Sequence, residues 1–130
     1  MNGLPENQDL KKIIHWSFQK DLHMLAICHG PAALLSANLN QDGEFLYSGY
    51  SMAVFPDSMD KQTPMIGYMP GQLTYQFGTK LSELGVNIVN KKADKTCHQD
   101  RKLITGASPQ AANDFGILSA TALLQSKNVL

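Results

Sequence analysis

The chain has 130 residues, 43% of them hydrophobic, and its 11 basic and 11 acidic residues give a formal net charge of zero. That length holds one domain, 1–130, with a real core and a thin stability margin. With no Lys/Arg cluster there is no electrostatic hold on nucleic acid or anionic lipid, and no apolar run approaches the ~20 residues of a membrane span.

The opening MNGLPENQDL lacks the basic and apolar stretches of a signal peptide. Two cysteines far apart, Cys28 and Cys97, make a poor disulfide framework. The expected compartment is therefore the reducing cytoplasm, with both thiols free. Asn7 to Lys20 reads as an amphipathic helix whose apolar stripe is Leu10, Ile13, Ile14 and Phe18. Leu22 to Ile27 reads as a mostly apolar strand, of the kind covered on both faces in a parallel sheet. After Cys28-His29-Gly30-Pro31, Ala32 to Leu39 reads as a helix with Pro31 at its first position.

Asn40 to Gly49 reads as a loop, and Tyr50 to Phe55 as a second strand. Pro56 to Gly71 is long and irregular, which in a compact domain is often functional. Gln72 to Leu84 reads as a helix with Leu73, Phe77, Leu81 and Leu84 on one stripe, ended by Gly85. Val86 to Val89 and Leu103 to Thr105 read as strands, separated by a polar stretch that has room for a short edge strand. Ser108-Pro109 signals the start of a last helix running to about Gln125. Alternation of this kind predicts an α/β fold layered around a mostly parallel sheet.

The junction Ala26-Ile27-Cys28-His29-Gly30 has the layout of a nucleophile elbow: small, any, nucleophile, any, small. A strained strand-to-helix turn needs small neighbours so that the backbone can pass closely. The helix start beyond it offers free N–H groups and a positive dipole end, which predicts a lowered thiol pKa and a cradle for an oxyanion. The plainer alternative is a small buried hydrophobe beside a helix cap.

A nucleophilic thiolate wants a base, and the base an orienting carboxylate. Among the four histidines, His15 falls on the polar face of the first helix, His23 opens a strand, and His98 sits beside Cys97 in a polar turn. The Cys97–His98 pair falls short of a zinc site. His29, next to Cys28, is the best-placed base. The loop FPDSMD offers Asp57 and Asp60 at a strand's C-terminal end, where catalytic groups of open α/β sheets gather. Asp57, directly after the strand, is the preferred carboxylate; both aspartates also suit a turn after Pro56.

AICHGPAALL, VFPDSMDKQTP, IGYMPGQLTYQFG, DRKLITGASPQAANDFG and the opening GLPENQD together resemble the ThiJ/PfpI superfamily. Within it they look like the C-terminal half of the bacterial branch described as glyoxalase III, protein deglycase and heat-shock holding chaperone. The resemblance implies a flavodoxin-like three-layer sandwich, a partial ThiJ/PfpI-like (class I glutamine amidotransferase-like) domain with the family's N-terminal half missing. It implies a Cys28-His29-Asp57 triad that converts methylglyoxal to lactate without glutathione, through a hemithioacetal, or deglycates proteins and nucleotides. No organic cofactor is implied.

The family's glutamate that bonds the nucleophile, and its histidine and glutamate metal ligands, find no counterpart here, so no metal ligand is expected. Expected partners are a small 2-oxoaldehyde or a glycated protein or nucleotide, unfolded client proteins, and a second copy of the chain or the missing half. Without that half, turnover by this chain is expected to be weak or absent. Competing readings are a stress holdase without catalysis, a remnant without function, and a cysteine peptidase or amidotransferase half-domain built on the same elbow.

Overall fold

The computed structural model describes residues 1–127. Helix α1 (Gln8–Gln19) starts where Asn7 accepts the Leu10 N–H at 2.8 Å. Its buried face is Ile14 and Ser17, with Leu10 packed partly against the core, and Ile13 lies 57% exposed, outside the stripe that periodicity assigns it. His15 is not free in solvent either, because its Nε2 contacts the Ala37 carbonyl at 2.9 Å.

Strand β1 (Met24–Ile27) pairs in parallel with β5 (Leu103–Gly106), and β4 (Cys97–Asp100) pairs antiparallel with β5, so β5 is the central strand. All four β5 residues are buried, as a strand covered on both faces requires. Leu103 joins the core of Ile14, Leu34, Met52, Phe77 and Leu81. Gly106, on the opposite face, lies against Phe115 of helix α4 (Ala112–Lys127). Helices therefore cover both faces of the strands, and the α/β layering holds.

A second, two-stranded parallel sheet joins β2 (Ser51–Met52) to β3 (Asn87–Ile88). The expected strand Tyr50 to Phe55 is cut short because side chains take the place of a strand ladder. The Ser51 N–H donates to Asp100, that of Ala53 to the Thr105 hydroxyl, and that of Val54 to the Asn90 carbonyl, all at 2.8–2.9 Å. These bonds bridge the segment to its neighbours.

Three further boundaries differ from the pattern reading. The segment after Pro31 is a 3₁₀ helix over Gly30–Asn38, closed by i to i+3 bonds such as Ala32 N–H to His29 O. It is buried almost all round and lies between α1 and helix α3 (Phe77–Glu83). Helix α3 begins five residues after Gln72, because a carboxylate from another segment meets its first amides at Gly78 and Thr79. The stretch after Phe55 contains a single helical turn, α2 (Asp57–Asp60).

Candidate active site

The elbow closes β1. Cys28 has φ +61°, a left-handed backbone that non-glycine residues seldom adopt and that often marks a functional site. Two bonds hold it there, the Cys28 N–H donating to Gly106 O at 2.8 Å and the Phe55 N–H donating to Cys28 O at 2.9 Å, and the 3₁₀ helix starts at Gly30. A Cβ added at Gly30 would lie 3.4 Å from the Ala26 Cβ. The two small residues thus meet across the turn, so a longer side chain at either would have to displace the other.

Cys28 Sγ lies 3.2 Å from His29 Nδ1, and His29 Nε2 lies 2.8 Å from Asp60 Oδ1. The His29 and Asp60 side chains are each about 10% exposed. Nδ1 facing the thiol and Nε2 facing the carboxylate is the connectivity a base and its orienting group need.

Asp57 is not part of this chain of contacts. Its Oδ1 accepts the Gly78 N–H, and its Oδ2 accepts the N–H and hydroxyl of Thr79, at 2.8–3.0 Å. It caps α3 from across the loop, with both oxygens occupied. Asp60, three residues on in the same helical turn, makes the contact to His29 that was expected of Asp57. The i, i+3 spacing of the two aspartates put both within reach, but only the position of α3, far along the chain, separates their roles.

The expectation of a lowered thiol pKa is also corrected. Burial pushes the Cys28 thiol up, the His29 amide pulls it down, and the Asp60 carboxylate adds a further push upward. Taking the sulfur out of water outweighs the helix start. The sulfur thus favours its thiol form more than a free cysteine does.

Behind Asp60 lies a hollow of about 150 Å³ bordered by Asp57, Lys61, Gln72, Tyr75 and Gln76. Burial, Glu6 and Asp60 raise the Tyr75 phenol above its usual value. On another side of Phe55 is an apolar hollow of about 270 Å³, bordered by Met59, Ile66, Tyr68 and Pro109. The loop beside it leaves Met65 85% and Ile66 76% exposed.

Cys97 stands apart from the relay, with its sulfur near the Lys95 and Ala111 carbonyls. Among the described residues, no three His, Cys, Asp or Glu side chains converge to hold a metal ion. Among the described residues, no helix is long and apolar enough to cross a membrane.

No protein-family model matches the chain. It is 48% identical over 122 residues to the protein/nucleic acid deglycase HchA of Escherichia coli (strain K12 / DH10B), covering 94% of this chain and 42% of that protein. The chain thus spans about two fifths of the length of the curated relatives it matches. Two solved structures share the fold at 24% identity. The 24 kDa rapid encystment protein of Francisella tularensis has a TM-score of 0.72, over 92% of this chain and 52% of its own. Glyoxalase III of Candida albicans has a TM-score of 0.66, over 92% of this chain and 51% of its own. The chain is a homologue of the protein/nucleic acid deglycases over nearly all of its own length, and it resembles the ThiJ/PfpI superfamily.

Proposed function

We propose that the single domain 1–130 carries the Cys28 centre of a glyoxalase III or deglycase, with Cys28 as nucleophile, His29 as base and Asp60 as the group that orients His29. The observation that carries this reading is the contact sequence Cys28 Sγ, His29 Nδ1, His29 Nε2, Asp60 Oδ1, held at a left-handed elbow. The substrate class of this reading is a 2-oxoaldehyde or its early adducts on protein or nucleotide, in keeping with the name of the deglycase relatives.

His29 Nδ1 takes the thiol proton while Sγ bonds to the aldehyde carbon. The carbonyl electron pair moves to oxygen, which takes the proton back from the imidazolium, giving a hemithioacetal. For methylglyoxal the overall change adds one water. The aldehyde carbon is oxidised to the acid level while the neighbouring ketone is reduced to an alcohol, so no external oxidant is involved. A raised thiol pKa makes His29 and Asp60 central, because the thiolate has to be generated rather than stored.

The test separates adduct formation from turnover. Methylglyoxal is expected to slow alkylation of Cys28 by iodoacetamide while leaving Cys97 unaffected, and any lactate formed is expected to vanish in Cys28→Ala. Equal protection of both thiols, or lactate formation that survives Cys28→Ala, would sink the reading.

The exposed Met65 and Ile66 beside the apolar hollow favour a second reading, a holdase that binds unfolded clients. Such a function would survive Cys28→Ala in an assay of aggregation suppression and would weaken on Ile66→Asp.

A further inference from the structure

We propose that Phe55 is a positioning residue for the Cys28–His29 pair: its ring sets the plane of the imidazole while its own amide pins the elbow. This rests on the relay read above. Two contacts from one residue carry it. The Phe55 N–H donates to the Cys28 carbonyl at 2.9 Å, and the Phe55 ring stacks on His29 with centroids 4.5 Å apart and planes 22° apart.

The stack supplies something the hydrogen bonds do not. Both His29 contacts lie at its two ring nitrogens, so they fix where the ring edge sits. They leave the ring free to rock about the line joining those nitrogens. A nearly parallel aromatic face blocks that rocking, and Phe77, at 5.7 Å and 44°, completes the aromatic surround. Both phenylalanines are buried, so neither is free to swing away.

The face also acts electrostatically. An aromatic face is the negative pole of the ring quadrupole, and the imidazolium that forms when Cys28 gives up its proton is a cation lying over it. Neutral imidazole gains less. Phe55 therefore favours the charged form of the relay at the step where Cys28 becomes reactive. The titratable groups in contact with His29 are Cys28 on the elbow and Asp60 on α2, with Asp57, Lys61 and Tyr75 around the hollow beside Asp60.

The test is the pH profile of Cys28 alkylation by iodoacetamide, read by peptide mass spectrometry on the full chain, with Cys97 as internal reference. Phe55→Leu keeps the amide and the apolar bulk and removes the aromatic face. Its Cys28 midpoint is expected to rise by about half a pH unit, about a threefold loss of thiolate at a fixed lower pH. Phe55→Tyr keeps the face and is expected to restore the profile; Phe55 borders the apolar hollow.

A Phe55→Leu profile that superimposes on the unmodified chain, with His29→Asn shifted, overturns the positioning role and leaves the relay standing. An unshifted His29→Asn overturns the relay and Phe55's role together. A shift in Phe55→Leu that Phe55→Tyr does not reverse assigns the effect to packing and also overturns the proposal. In the unmodified chain, the stack is expected to move the His29 ring protons upfield in the NMR spectrum. Finding them at unfolded-chain positions refutes the stack without any variant.

Discussion

Asp60→Asn keeps the shape of the side chain and deletes the charge facing His29 Nε2 at 2.8 Å. A hydrogen bond to a charged group contributes about 1.5–3 kcal/mol, and with both side chains about 10% exposed there is little solvent to screen it. Taking that bond from the imidazolium formed on proton transfer corresponds to roughly 10- to 100-fold slower alkylation of Cys28. An opposing effect exists, because the Asp60 charge also raises the Cys28 thiol, and its removal relieves that. Asp60 touches His29 directly but reaches Cys28 only across the imidazole. Coulomb energy falls with distance, so the loss at His29 wins. The assay is Cys28 alkylation at pH 7, normalised to Cys97. Asp57→Asn is the control: it weakens the cap on α3 and is expected to cost about 1 kcal/mol in urea unfolding, with alkylation unchanged. Slow alkylation in Asp57→Asn together with normal alkylation in Asp60→Asn would refute the assignment.

Tyr47 is buried in an aromatic cluster with Phe18, Phe45 and Tyr50, and its phenol is pushed up to about 12, chiefly by burial and then by Tyr50. A raised folded pKa stabilises the fold fully below the unfolded value of about 10, and that stability is lost as pH rises through about 12. Tyr47→Phe is therefore expected to flatten the fall in stability between pH 10 and 12, by up to about 2–3 kcal/mol, in denaturant titrations. Asn90 accepts the Val54 N–H and donates to the Val54 and Lys92 carbonyls. Asn90→Ala orphans buried backbone groups and is expected to cost about 2–4 kcal/mol by urea unfolding. Among the described residues Ser119 Oγ is buried without a hydrogen-bond partner, so Ser119→Ala is expected to be neutral or to stabilise by up to ~1 kcal/mol in the same assay.

Local chemistry alone determined a good deal. The apolar spacing places α1 to within a residue at its start, the apolar run ending at Ile27 places β1, and Leu103 to Thr105 falls inside β5. The small residues Ala26 and Gly30 mark the elbow, because close backbone passage is a requirement on neighbours in sequence. Cys28 and His29, adjacent in the chain, could be paired for the same reason.

Tertiary structure decided the rest. Ile13 is exposed because α1 turns Ile14 and Ser17 inward. Tyr50 to Phe55 loses most of its ladder to Asp100, Thr105 and Asn90, side chains 36 to 52 positions away. Asp57 and Asp60 are near-equivalent in sequence, and only the arrival of Gly78 and Thr79 claims one of them for a helix end. The direction of the Cys28 pKa follows from burial, a sum over every element packed around the sulfur, which no single motif contains.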